Sequence, residues 1–462
     1  MEERLMTGGR LRAVILAAGK GTRMRSSRPK MLHDLCGRAM LWHVLRALAD
    51  AGVRDVTIVA SPDIAPHVAS LADDAGHERV AHVLQEPQLG SGHAVQVALA
   101  HLAPSDGTLL VLNGDMPLVE PALIRALLDA HASALTLVTA RMPLPSSFGR
   151  IVRGSNGAAS SVAKIVEARD ANAEELELDE MNAGLYAFDE PKLRAAIAEL
   201  RNDNAQGEYY LTDTIARLTG GGERVVPVLA PDYRSVLGVN DRVELAAAAA
   251  LLNRRLCEAH MRGGVTIADP ATTYLEPDLD IAADVTILPN TTIGRRSSIA
   301  AGSEIGPNTR LAAARVGTQA VIADSVVVES AIGDFALIGP YAHIRGGSAI
   351  GTGVRVGNFV EIKASTLSPG VKAGHLTYIG DASIGERSNV GAGTITCNYD
   401  GTNKHRTTIG KDAFIGSNSA LVAPVTVGDG ASTGAGSVVN RDVAPGERVA
   451  GVPARPLPKK NA

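Results

Sequence analysis

Two rhythms of apolar residues run along the chain. Up to about Val239, short runs that read as buried strands (AVILAAG, DVTIVA, TLLVLNGD, ALTLVTA) alternate with amphipathic stretches such as MLWHVLRALADAG. That alternation predicts parallel βαβ units with a sheet covered on both faces. From Asp241 to Arg262 (DRVELAAAAALLNRRLCEAHMR) the composition turns to Ala, Leu and Arg, with no Gly or Pro before Gly263. One connecting helix is expected there.

Beyond it the chain counts in sixes. Ile287, Ile293, Ile299, Ile305 and Leu311 keep the interval, as do Ile332, Ile338, Ile344, Ile350, Val356 and Ile362. A third run holds it through Ile409, Ile415, Leu421, Val427, Thr433 and Val439. This period fits neither a lone amphipathic helix nor a hairpin; it is the hexapeptide repeat of parallel β-helices. Each short strand buries one aliphatic side chain, and a small neighbour lets the backbone turn the corner. A Gly-rich linker would not hold aliphatic residues in phase. Between Val390 and Ile409 the count fails. There Thr394 to Thr408, with its Cys, Asn, Tyr, Lys, His and Arg, reads as a polar loop leaving the prism to cover a site.

Composition narrows the partners. With 462 residues, two or three domains are expected. Formal charge is −4 and pI about 6.3, so neither nucleic acid nor a membrane surface is an expected partner. Cys36, Cys257 and Cys397 are too dispersed for a disulfide framework or a cysteine-type zinc site. The longest apolar run, Leu245 to Leu252, is far short of a membrane span. A soluble, cytoplasmic protein is expected.

Chemistry gathers at strand ends. LAAGKGTRM (Leu16 to Met24) is neither a Walker A loop nor a GxGxxG turn, since Val14, Gly21 and Met24 stand at the wrong positions. A Gly-rich turn with Lys20, Arg23 and Lys30 nearby still suits a polyphosphate, and it also fits an ordinary βα loop. Asp115 lies just beyond TLLVLNG, on the edge where open α/β sheets bind ligands. A Mg²⁺ ligand and a helix-capping aspartate are both open there. In the second half Arg345 and Lys363 each follow an inward aliphatic and lie eighteen residues apart. If three hexads make one coil, the two cations stack on one corner, where a bound anion or splayed solvated side chains would relieve their repulsion. His375 shares that neighbourhood with Tyr378 and Asn389 and is a candidate base, although most histidines are structural.

The motifs LAAGKGTRM, RPK, QEPQLGSGHA, NGDMPL, FGRIV, IVEARDA, MNAGLYAF, NAQGEYYLTD and GHLTYIGDASIGERSNVGAGTITCNYDG occur in order. Together they resemble the sugar-nucleotide pyrophosphorylases. The nearest likeness is to the bifunctional N-acetylglucosamine-1-phosphate uridylyltransferase/glucosamine-1-phosphate N-acetyltransferase family, from about residue 11 to 450. The resemblance implies an α/β Rossmann-like nucleotidyltransferase domain (1–240), a helical linker (241–262) and a left-handed parallel β-helix with acetyltransferase activity (263–462). It implies UTP, N-acetylglucosamine 1-phosphate, glucosamine 1-phosphate and acetyl-CoA as substrates, Mg²⁺ as cofactor and a homotrimer.

Leu16, Ala17, Ala18, Gly19, Gln85, Gly90 and Ser91 would hold the uridine nucleotide, and Lys30 a phosphate. Gly114, Gly149, Glu167 and Asn182 would line the sugar site, with Asp115 and Asn240 on the metal. Arg345, Lys363, Tyr378 and Asn389 would bind the amino-sugar phosphate, with His375 as general base. Ala392, Ser417 and Ala435 would line the acetyl-CoA groove, with Asn398 and Tyr399 also binding and Lys404 near a phosphate. Two positions depart from the family: Asn113 stands where Tyr is frequent, and Gly451 where a coenzyme-binding Arg stands, with Arg455 nearby. The rival readings are a single-activity nucleotidyltransferase with a structural β-helix and a non-catalytic scaffold.

Overall fold

The computed structural model describes residues 10–78, 80–154 and 161–457, in two compact units divided between Ala250 and Leu251. In the first, the apolar runs form the centre of a sheet ordered Val80–Leu84, Val56–Ala60, Arg12–Ala17, Thr108–Asn113, Glu180–Asp189, Leu135–Arg141, Val225–Leu229. Even and odd residues of Arg12–Ala17 are both buried, because helices cover both faces. The all-parallel expectation needs correcting. Glu180–Asp189 runs antiparallel to both its neighbours, and Arg150–Arg153 with Val162–Val166 adds an antiparallel hairpin. A buried strand reads apolar in either direction, so the pattern does not carry polarity. Connections leave Arg12–Ala17 and Thr108–Asn113 toward opposite sides of the sheet, which opens a crevice at their carboxyl ends.

The connecting helix spans Arg242–Arg262. Asp241 Oδ1 accepts from the backbone N–H of Val243 and Glu244, and Glu244 Oε2 accepts from Asn240 N at 2.6 Å. These bonds fix Asn240 just before the first turn. The compact units divide inside this helix rather than at its ends. Its second half packs on the prism: Asn253 bonds Thr273 O and Leu275 N, and Cys257 is wholly buried.

The second unit is a left-handed parallel β-helix of three sheets, with twelve, ten and nine strands among the described residues. Ile287 pairs with Ile305 and Ile344 with Ile362, so three hexads do make one coil. The aliphatics stack in one continuous core. A second inward column, two residues earlier (Thr291, Ser297, Ser303, Thr309), was legible at the same interval and was not read. Its hydroxyls are buried but bonded, as Ser303 Oγ is to Gly317 O at 2.7 Å. Many corners carry non-glycine residues at positive φ, such as Asn308 and Asn418, each with its N–H bonded to the preceding coil.

The break in the count is narrower than Thr394 to Thr408. Thr396 keeps the sixth-residue position after Val390, is buried, and pairs with Leu421. Its hydroxyl accepts from Gly380 N at 2.8 Å, so a polar residue fills an inward place without an unmet bond. Thr394 and Thr407 are likewise buried. Only Asn398 to Arg406 leaves the coil, as a small excursion closed by an antiparallel bridge between Tyr399 and Lys404.

Candidate active sites

In the first unit two cavities meet at the crevice, sharing Leu16, Ser91, Asn113 and Asp115. One is lined by Ala18, Gly19, Lys30, Gln85 and Gly90, the other by Gly149, Glu167, Asn182 and Asn240. The nucleotide-binding and sugar-binding residues expected from sequence thus segregate to adjoining cavities. Two do so differently. The Ala17 methyl lies in the hydrophobic core, and Gly114 is buried behind the crevice with its N–H on Leu16 O. Neither sends a side chain toward a ligand, so any contact from them is through backbone.

The glycine loop is shaped around Lys30. Gly21 has φ +58°, and a Cβ there would meet Lys30 Cβ at 2.5 Å. Lys30, only 8 % exposed, reaches into the crevice, where its Nζ donates to Asp115 Oδ2 at 2.6 Å and Asn240 Oδ1 at 2.8 Å. Two oxygens from the middle and the end of the unit's sequence therefore converge on one cation. Among the described residues no cluster of three His, Cys, Asp or Glu side chains forms a metal cage. A carboxylate and an amide oxygen already gathered on one cation fit Mg²⁺, which keeps few protein ligands and takes the rest from phosphates and water.

Around them distant motifs are stitched together. Gly92 N bonds Tyr209 O, Tyr209 N bonds Leu89 O, and Leu211 N bonds Ser91 Oγ. Gln85 Nε2 is held by Gly90 O and His93 Nδ1, which fixes the orientation of its amide. Asn182 is fixed by Tyr186 Oη and by Gly184 N, at a bulge in its strand. Glu167 accepts from Thr212 Oγ1 at 2.9 Å; burial pushes its carboxyl above the ordinary glutamate range, and the Thr212 bond opposes that only in part. Thr212 and Gln88, whose Nε2 holds Ala18 O, were not singled out from sequence, although Thr212 lies inside NAQGEYYLTD.

In the second unit the cation pair is in register: Ile344 faces Ile362, and Arg345 N bonds Ile362 O. The two charges are not bare. Arg345 bonds Glu361 at 2.6 Å, and Lys363 stands 4.0 Å from Asp381. Lys404 of the excursion comes against Lys363, and the nearby ammonium depresses its pKa. The patch is therefore cationic despite its carboxylates. Asn398 ties Asp381 at 2.5 Å and approaches Tyr378 Oη, so Lys363, Tyr378 and Asn398 share one place. Asn389 does not join them; it lies on the first sheet, between Lys372 and Phe414, while Tyr378 is on the second. Tyr399 is exposed, and its hydroxyl bonds back to Gly401 O within the excursion.

His375 stands at the corner between those two sheets. The backbone ladder there runs Asn358, His375, Ala392, Ser417: each carbonyl accepts from the residue following the next member, and Ser417 O from Gly436 N, which follows Ala435. Four of the expected residues thus form one column, in which the imidazole is followed by the small side chains of Ala392, Ser417 and Ala435. The hexad count alone does not show this column, because its members are 17, 25 and 18 residues apart. Gly451 O accepts from Val438 N, and Arg455 lies on the exposed final strand, Arg455–Pro456.

Comparison with known proteins matches residues 13–237 to the MobA-like NTP transferase domain, and residues 329–364 and 406–441 to the bacterial transferase hexapeptide repeat. The chain is 46% identical over 439 residues to the bifunctional protein GlmU of Corynebacterium glutamicum, covering 94% of this chain and 90% of that one. It is 44% identical to that of Brevibacillus brevis, with 94% and 93% covered. To that of an Exiguobacterium species it is 46% identical, with 93% and 94% covered.

Proposed function

The chain belongs to the bifunctional GlmU family, and from that membership we propose that it makes UDP-N-acetylglucosamine at two separate sites. The second unit transfers an acetyl group from acetyl-CoA to glucosamine 1-phosphate. The first transfers a uridylyl group from UTP to the resulting N-acetylglucosamine 1-phosphate. The product is a building block of peptidoglycan.

In the first step the amine of glucosamine 1-phosphate loses a proton to His375 Nε2 as its nitrogen attacks the thioester carbon. The C–N bond forms, the C–S bond breaks, and coenzyme A leaves as a thiol once the proton is returned. Lys363, Arg345 and Lys404 hold the sugar phosphate, Tyr378 and Asn389 its surroundings, and Ala392, Ser417 and Ala435 give the coenzyme arm room. Asn398 and Tyr399 close over it. Around-the-corner placement of Asn389 supports a site completed by a neighbouring subunit, in keeping with the homotrimer that the family resemblance implies.

In the second step the sugar phosphate oxygen attacks the α-phosphorus of UTP in line, and the bond to pyrophosphate breaks. No protein nucleophile is needed; positioning and charge neutralisation suffice. Gln85 meets the uracil, Lys30 a phosphate, and Glu167 with Asn182 the sugar hydroxyls and amide. Asp115 and Asn240 would hold Mg²⁺, which would supply charge neutralisation on the triphosphate. Both substrates and products are small and polar, and among the described residues no helix is long and apolar enough to cross a membrane, which supports a cytoplasmic enzyme.

The observation that carries the two-site reading is the His375 column together with the cationic patch of Arg345, Lys363 and Lys404, which a purely structural β-helix does not need. Pyrophosphate and free-thiol release measured on one preparation test it. Both activities are expected; pyrophosphate release without acetyl-CoA turnover would leave the single-activity reading in its place.

A further inference from the structure

Asn358 lies one coil before His375 in the same corner column, on the strand Arg355–Asn358 that pairs residue for residue with Lys372–His375. Leu376 N bonds Asn358 O at 3.0 Å, so the two backbones are locked. From that position Asn358 Oδ1 reaches His375 Nδ1 at 3.1 Å. Among the described residues it is the one side chain hydrogen-bonded to the imidazole, and the next member of the column, Ala392, has none to offer.

We propose that Asn358 is a positioning residue for acetyl transfer: it holds His375 in the tautomer that carries its proton on Nδ1 and presents the Nε2 lone pair to the substrate amine. A neutral imidazole has one N–H, and the nitrogen that carries it accepts nothing. An amide oxygen accepts only, so its contact with Nδ1 selects Nδ1–H and leaves Nε2 as the base. The partner being an amide rather than a carboxylate matters. A carboxylate would stabilise the imidazolium and favour a ring already protonated at neutral pH. The amide orients the ring without adding charge.

This inference rests on reading His375 as the general base, and the experiment separates the two. Full-length protein labelled with ¹⁵N-histidine is compared by two-bond ¹⁵N–¹H spectra, with the His375 signal identified by its loss in His375→Ala. The wild type is expected to show Nδ1–H; a ring carrying Nε2–H overturns the proposal. Asn358→Ala and the near-isosteric Asn358→Leu are expected to lose the single tautomer. Their acetyl-transfer kcat should fall about tenfold, the worth of roughly one hydrogen bond, with KM values little changed. Asn358→Asp keeps an acceptor on Nδ1, so the Nδ1–H tautomer should persist above neutral pH, while its charge favours the imidazolium; its kcat is expected below that of the wild type at neutral pH and to approach it as pH rises. Uridylyl transfer should be equal in all variants, which reports folding. If His375→Ala acetylates at the wild-type rate, the general-base reading fails. If His375→Ala is inactive while Asn358→Leu keeps both tautomer and kcat, only the positioning role fails.

Discussion

Asp115 and Glu167 are two carboxylates lining one cavity with opposite surroundings. Asp115 faces Lys30 and Asn240, a place organised for positive charge. Asp115→Asn removes the charge while keeping the shape, and is expected to cut pyrophosphate release by about a hundredfold, the usual scale for losing one preorganised electrostatic contact. Acetyl transfer by the same preparation should be unchanged; uridylyl transfer at the wild-type rate with limiting Mg²⁺ would refute the assignment. Glu167 is raised by burial. The folded state therefore binds its proton more tightly than the unfolded chain does. Its ionised form costs stability above the raised folded-state pKa, and that cost disappears as pH falls below the ordinary glutamate range. Glu167→Gln keeps an acceptor for Thr212 and should raise the melting temperature at neutral pH by about 2 °C, with no gain at low pH, while depressing uridylyl transfer. A variant less stable than wild type at neutral pH would show that the charge is compensated.

At the scale of elements, the excursion Asn398 to Arg406 leaves a coil whose flanking strands, Ile395–Cys397 and Thr407–Ile409, keep their pairing. It has its own internal order: Asp400 accepts from Thr402 N, Asn403 N and the His405 ring, and those bonds hold its carboxyl well below the usual range. Replacing 398–406 by a short Gly-Ser turn should therefore leave the β-helix folded, with an unchanged far-ultraviolet spectrum. Acetyl transfer should fall by two orders of magnitude or more, since Asn398, Tyr399 and Lys404 go together, a loss on the scale of about 10² for misplaced substrate groups. Retained acetylation would make the excursion an idle insertion. Here the sequence read a break correctly and drew it too wide, because Thr394, Thr396 and Thr407 look polar in a list of residues. In the coil each hydroxyl site is buried, and for Thr394 and Thr396 backbone partners replace water.

For the whole molecule, the column corner and the separation of Asn389 from Tyr378 lead to an expectation about assembly. Sedimentation at micromolar concentration should give three times the 47.8 kDa chain mass. Mixing an inactive Lys404→Ala chain with an inactive His375→Ala chain should restore part of the acetyl transfer if the excursion serves a neighbour's site. A monomer with full activity would mean that each chain's site is complete alone.

Repetition and motif spacing determined much of this protein before any coordinates. Ile344 and Ile362 could be stacked by counting, because a coil of constant length converts sequence interval directly into height along the prism. The helix at Arg242–Arg262 was legible from an unbroken run of helix formers, and Lys30, Asp115 and Asn240 from motifs whose order is that of a family. Strand direction at Glu180–Asp189 was not legible, since burial on both faces erases alternation and polarity alike. Nor was the contact of Lys30 with both Asp115 and Asn240, 85 and 210 positions away: the resemblance pairs those two and sends Lys30 to a phosphate, and the three meet only where strand ends share one crevice. Asn358 beside His375 needed the seventeen-residue coil to be known, as distinct from the regular eighteen. Local pattern is set by which face each residue buries, and sequence records that. Partners across coils and strand ends are set by register and chain reversal, which only the folded backbone decides.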